Sequence, residues 1–127
     1  MSEVLTGSWI AGWVATVSKD RELSHIGKLS RFALQLSAGD RKARLVFNCG
    51  VFAVEPVDSE RSMDLLEING SVEAWHLLLK PIPDPLLNDV IAMDKNHPDF
   101  AIVSDRIFLL RHLRVVLKLF SVAPRLE

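Results

Sequence analysis

Between residues 32 and 49 the chain repeats with a period of two. Phe32, Leu34 and Leu36 alternate with Ala33, Gln35 and Ser37, and Ala43, Leu45, Phe47 and Cys49 then alternate with Lys42, Arg44 and Asn48. Successive side chains of a strand point to opposite faces, so this spacing gives each of two strands one apolar face. Ala38-Gly39-Asp40 between them is hairpin chemistry. After a break or bulge at Gly50, a third strand is expected over Val51 to Val57, closed by Pro56 and the polar residues 58–61. A fourth is expected over Met63 to Ile68. Four successive strands with short connections predict an antiparallel sheet.

Helical spacing flanks this block. Leu5, Trp9, Ile10, Trp13, Val14 and Val17 form one stripe on a helix from Glu3 to Val17, with Ser2 as its cap. Gly7 and Gly12 weaken that helix by about 1 kcal/mol each against alanine, so it needs tertiary packing. Lys19 to Ser30 reads as a turn and a short helix. Beyond the sheet, Asn69-Gly70-Ser71 stops the strand and Ser71 caps a helix whose face is Ala74, Trp75, Leu78 and Leu79. Pro81, Pro83 and Pro85 break it. Asp84-Pro85 is a cap and first-turn pair for the next helix, with Leu86, Leu87, Val90 and Ile91 as its stripe, Asp89 and Asp94 on its wet side, and an end before Pro98. Phe100 to Val103 is a short fifth strand. Ser104 caps a last helix through about Phe120, so apolar that few positions remain for water, which predicts a helix contacted on two sides.

At 127 residues, this is the length of one domain. Hydrophobic residues at 49% exclude a disordered chain, and a net charge of −1 argues against a nucleic-acid binder. The tryptophans sit on apolar faces and there is no tyrosine, which further disfavours single-strand binding. Cys49 is alone, so no intramolecular disulfide or multi-cysteine metal site forms, and reducing surroundings follow. No apolar run reaches the roughly 20 residues that span a bilayer, and the N-terminus lacks a basic leader, so a cytoplasmic protein is expected. Charge is uneven along the chain. Residues 19–44 are mostly basic, residues 55–99 mostly acidic, and the segment from Asp105 basic again. Such blocks either satisfy one another or steer a partner.

Leu66-Glu67-Ile68-Asn69-Gly70-Ser71 followed by Ala74 and Trp75, and Phe100-Ala101-Ile102-Val103-Ser104-Asp105, together with the order of elements, resemble the sterol carrier protein type 2 family over residues 31–120. Ser104 stands where that family usually has glycine. Residues 1–30 form an N-terminal helical segment outside the match. The resemblance implies an α+β domain, a mostly antiparallel sheet of about five strands covered by helices. It also implies an apolar tunnel between the layers for a sterol, fatty acid or acyl-coenzyme A, and no catalytic group or cofactor.

The residues themselves offer a lining for such a space. Phe32, Leu34, Leu45, Phe47 and Phe52 come from strands, Phe100 from the short fifth strand, and Trp75, Ile91 and Phe108 from helices. Each is more often an ordinary core residue than a pocket lining. Arg111, Arg114 and Lys118 share one stripe that can meet an acyl-coenzyme A phosphate or an anionic membrane, or simply face water.

Catalytic signals are sparse. The four histidines, 25, 76, 97 and 112, show no metal-ligand spacing. There is no serine elbow, and the glycines are too scattered to cradle a nucleotide cofactor. His112 among arginines reads as a packed histidine. Cys49 lacks a partner base and reads as a buried structural cysteine. Asp64, on a strand face with Leu66 and Ile68, and the pair His97 and Asp99 are the acid–base candidates for a second reading. That reading is a small isomerase, lyase or cyclase acting on a hydrophobic carbonyl substrate. A third is an interaction module that forms a homodimer through the Trp9/Trp13 helix.

Overall fold

The computed structural model describes residues 4–55, 65–104 and 106–125. In chain order the elements are α1 (Gly7–Lys19), α2 (Arg21–Ile26), β1 (Arg31–Ala38), β2 (Arg41–Asn48), β3 (Val51–Glu55), β4 (Leu65–Gly70), α3 (Val72–Leu78), α4 (Val90–Asn96), β5 (Phe100–Val103) and α5 (Arg106–Ser121). The strands form one open sheet in the order β3-β2-β1-β4-β5.

Two tight hairpins set the register of β1, β2 and β3. Ala38 pairs with Arg41 across a two-residue loop, and Gly39 enters it at φ 61°, where glycine is favoured. Asn48 pairs with Val51 across Cys49 and Gly50, both with positive φ, at 52° and 98°. Gly50 is therefore half of a hairpin loop rather than a bulge, and Cys49 is exposed at its tip rather than buried.

The expectation of a wholly antiparallel run fails at β4, which pairs parallel to β1, Leu34 opposite Leu66 and Leu36 opposite Ile68. β3 and β4 run in the same direction with β2 and β1 between them, so a crossover joins them where a hairpin was expected. The other three pairings are antiparallel, so the sheet is mostly so.

Side-chain alternation divides the sheet into two faces. Phe32, Leu34, Leu36, Ala43, Leu45, Phe47, Phe52, Leu66 and Ile68 are buried on one face. α1, α3 and α5 cover it: Trp13 lies edge-on to Phe52 at 4.9 Å, Trp75 to Phe100 at 5.1 Å and Phe108 to Phe32 at 6.2 Å between ring centres. The other face carries a polar network. Ser37 Oγ lies 2.8 Å from Asn69 Oδ1, Asn69 donates to Glu67 at 2.8 Å, and the Arg44 guanidinium donates to Gln35 Oε1.

Helix starts follow their caps. α1 begins at Gly7, four residues later than the stripe predicts. Leu5 turns the chain at φ 60°, and the Thr6 hydroxyl accepts the Trp9 N–H at 3.3 Å. Ser2, the expected cap, lies outside the described residues. Asp20 caps α2 through Leu23 N–H at 2.9 Å. Ser71 caps α3 as expected, accepting from Ala74 at 3.0 Å.

α4 departs most. Its cap is Asp89, which accepts the Ala92 N–H at 2.7 Å, and not Asp84. Leu86 is accordingly exposed in the preceding turn. α5 starts two residues after Ser104, and Asp105 between them lies outside the described residues.

Each tryptophan anchors two distant parts of the chain. Trp9 and Trp13 donate from their indoles to Pro124 O at 3.0 Å and Leu119 O at 2.8 Å, and Trp75 donates to Ser37 O at 2.8 Å. Gly70 makes room for the last of these: a Cβ there would lie 3.0 Å from the Trp75 indole nitrogen and 2.9 Å from the Phe100 ring. The Trp9/Trp13 face is thus buried against the chain's own C-terminal segment. The surface expected to hold a homodimer together is core.

Candidate functional site

The interior between sheet and helices is the candidate site. Of the nine residues that the sequence nominates as its lining, eight are buried in one continuous apolar cluster: Phe32, Leu34, Leu45, Phe47, Phe52, Trp75, Phe100 and Phe108. Their rings meet directly. Phe32 stacks on Phe47 at 5.6 Å, and Phe47 lies 6.4 Å from Phe52. Ile91, the ninth, is half-buried at the margin, where it shares a hollow of about 90 Å³ with Asp94, Ile102, Ser104 and Leu109. The Asp94 carboxylate closes one side of that hollow by accepting the Ile102 N–H at 2.8 Å, which ties α4 to β5.

Sequence reasoning missed part of this interior. Trp13 and Phe120 extend it beneath α1, with centres 5.2 Å apart, and Phe120 also lies 5.9 Å from Trp75. The available signal was the apolar excess of the last helix, which receives α1 as well as the sheet. Gly27 marks the tightest approach, because its chain passes directly over the Phe47 ring.

His112 is buried between Phe32 and Phe108, with ring centres 4.9 and 5.0 Å away, so it belongs to the packed interior as expected.

Of the acid–base candidates, His97 and Asp99 do not join the interior cluster. Asp64 lies outside the described residues. His97 and Asp99 form a local turn: the His97 Nδ1 accepts the Asp99 backbone N–H at 3.0 Å, and Asp99 is exposed. This is the hydrogen bonding of a turn that ends α4, not a carboxylate oriented on an imidazole. Among the described residues no group of histidine, cysteine, aspartate and glutamate has the grouping of a metal site.

The basic stripe on α5 is broken by its last member. Lys118 Nζ lies 3.0 Å from Glu22 and 3.8 Å from Asp20, which joins α5 to the start of α2. The hydrogen bond to Glu22 raises the Lys118 pKa above its usual 10.5, and the nearby Asp20 charge adds to this. Lys118 is therefore a tie between helices rather than an anion contact. Arg111 and Arg114 remain exposed.

Near the C-terminus, Arg125 donates to Leu78 O at 3.2 Å and Ser121 O at 2.8 Å, and burial lowers its pKa. A separate hollow of about 410 Å³ lies beside Val46, Val51 and Ala53 on the outer sheet face, away from the apolar interior.

Two solved structures share this architecture. One is a crystal structure of sterol carrier protein 2, at TM-score 0.64 and 15% identity, covering 98% of this chain and all of that one. The other is the solution structure of a Thermus thermophilus protein described as conserved hypothetical and possibly a sterol carrier protein. It has TM-score 0.60 and 15% identity, and the match covers 95% of this chain and 87% of that one. No protein-family model matches the chain, and no curated protein matches it by sequence. The chain has the sterol carrier protein 2-like fold, an α+β domain. The likeness also reaches past residues 31–120 to take in the N-terminal helices that the sequence resemblance left out. Among the described residues, no helix is long and apolar enough to cross a membrane.

Proposed function

We propose that this chain binds, and carries, a hydrophobic small molecule such as a sterol, a fatty acid or an acyl-coenzyme A between its helices and its sheet. The observation that carries the reading is an aromatic-rich apolar interior in a domain of the sterol carrier protein 2-like fold, matched over nearly its whole length. Burial of an acyl chain gains roughly 0.8 kcal/mol per methylene, so such a layer binds lipid without polar contacts. The rings that meet there must part to admit a ligand, and the ligand then replaces their mutual contacts. The hollow at Ile91 and Leu109, between α4, β5 and α5, is the entry point this reading favours, because two of its lining residues, Ile91 and Leu109, pack against the apolar cluster.

The test is native mass spectrometry of protein purified without detergent, followed by titration of the delipidated protein with fluorescent fatty-acid and sterol probes. The expected result is a co-purified species of lipid mass, removed by organic extraction, and saturable probe binding afterwards. A chain that carries no lipid and leaves both probes in water overturns the proposal.

A further inference from the structure

Exposed aliphatic side chains and exposed cations coincide at one end of the molecule. Leu29, in the α2–β1 loop, is 93% exposed, and Ile107 and Leu110, at the start of α5, are 70% and 63% exposed. Phe32 follows Leu29 by three residues, and its ring lies 6.2 Å from Phe108 and 4.9 Å from His112. β5, which leads into α5, runs toward the end of the sheet where β1 begins, so the loop and the start of α5 emerge at the same end. Ile107 and Leu110 are three residues apart and turn away from the buried Phe108, His112 and Val115. Arg111 and Arg114 stand one turn further on the same exposed side, and Lys28 precedes Leu29; all three are exposed. Asp20, the α2 cap, and Glu22 face Lys118, which offsets one of their two charges, and they lie two turns along α5 from Arg111.

Single exposed aliphatic residues are ordinary on a protein surface. Three with cations beside them on one end have the composition of an interfacial surface: apolar groups that enter the headgroup boundary and basic groups that meet lipid phosphates. We propose that this end of the molecule docks on an anionic lipid bilayer. Leu29, Ile107 and Leu110 insert, and Lys28, Arg111 and Arg114 contact the headgroups. Nucleic acid is a poorer occupant, because no aromatic ring stands among these cations to stack on a base. The proposal goes beyond ligand binding and does not depend on it, since the surface is complete without anything in the interior.

The test is co-sedimentation of the full chain with vesicles of phosphatidylcholine alone and of phosphatidylcholine with about a third phosphatidylserine. Binding is expected on the mixed vesicles only, weakening as salt rises. Each cation near such a surface is worth about fivefold in partitioning, so K28E with R114E lowers it by more than about tenfold. The triple variant L29S, I107S and L110S weakens it as well. Circular dichroism and thermal unfolding stay unchanged in both variants because the five side chains lie at the surface. No binding, equal binding to both kinds of vesicle, or variants that bind like the parent chain would each overturn the proposal. Lipid-probe titration of the same variants is expected to match the parent, which separates failure of this surface from failure of the interior site.

Discussion

Replacing Gly27 by alanine sets two opposing effects against each other. Gly27 follows α2 with φ −90° and ψ 6°, the bridge region that alanine enters at turns, although a Cβ there would lie 2.8 Å from the Leu23 carbonyl oxygen. On the backbone alone the substitution stabilises by about 0.4–1 kcal/mol, because the unfolded chain has less freedom to lose. The side chain reverses this. A Cβ at Gly27 would sit 2.3 Å from Phe47 Cζ and 2.5 Å from Cε2, where carbon atoms ordinarily meet at about 3.5–4.0 Å. The Phe47 ring must retreat by more than about 1 Å, and Phe32 and Phe52 leave it little room. Overpacking of this kind costs about 1–3 kcal/mol. The net loss is therefore about 0.5–2 kcal/mol. An unfolding entropy of about 2.1 cal/mol/K per residue converts this into a fall in Tm of about 2–8 °C. The assay is thermal and urea unfolding of Gly27→Ala, Phe47→Leu and the double variant. Leucine is shorter than the ring, so Gly27→Ala is expected to cost less in the Phe47→Leu background, and the two changes couple by more than about 0.5 kcal/mol. A Gly27→Ala variant as stable as the parent, or additive with Phe47→Leu, refutes the close approach of loop and ring.

Asp89→Ala is expected to lower stability by about 1 kcal/mol through loss of the α4 cap, while Asp84→Ala stays within about 0.5 kcal/mol; urea unfolding of both variants distinguishes the two starts of that helix. Lys118 has a folded pKa raised above 10.5 by Glu22 and Asp20, so its contribution is complete below that value and fades as pH rises through the folded pKa. The Tm difference between the parent and Lys118→Gln should accordingly be constant near neutrality and shrink above pH 10.5; a difference that grows instead contradicts the pairing. Trp75→Phe removes the indole's bond to the part-buried Ser37 carbonyl and is expected to cost about 0.5–1.5 kcal/mol, measured by urea unfolding. Hydrogen exchange should open amides 109–113 of α5 before amides 117–121, and bound lipid should slow the first group more; uniform protection along the helix contradicts this.

The inward face of the sheet was legible because its signal is local and repeated. The alternation from Phe32 to Phe47, with turn residues at Gly39, determines which side chains face inward, and every inward residue so named is buried. The Ser71 cap was legible for the same reason. The parallel pairing of β1 with β4 was not, because nothing in a strand's own residues states which distant strand it adjoins. α4 was misplaced because Asp84-Pro85 and Asp89 are both competent caps. The choice fell to tertiary packing, which buries Val90 and Met93 and leaves Leu86 in water. The role of Trp9 and Trp13 was hidden for a different reason: a stripe that packs on its own chain and one that packs on a second copy have the same periodicity. Only the indole bonds to Leu119 and Pro124 decide between them.

Those bonds also bear on how a packed interior can serve a lipid. The two halves of α5 pack against different parts of the fold. Its C-terminal half is tied by directional contacts: Trp13 to Leu119 O, Arg125 to Ser121 O, and Lys118 to Glu22. Its N-terminal half lies on the sheet through Phe108 and His112 against Phe32. Parting an indole from a buried carbonyl costs about 1–3 kcal/mol for each group stranded. The proposed ligand is expected to enter at the start of α5. That is the end that borders the hollow at Ile91 and Leu109, and that displays Ile107, Leu110 and their flanking arginines. On the proposed readings, an apolar ligand meets this half-helix on its inner face and a bilayer meets it on its outer.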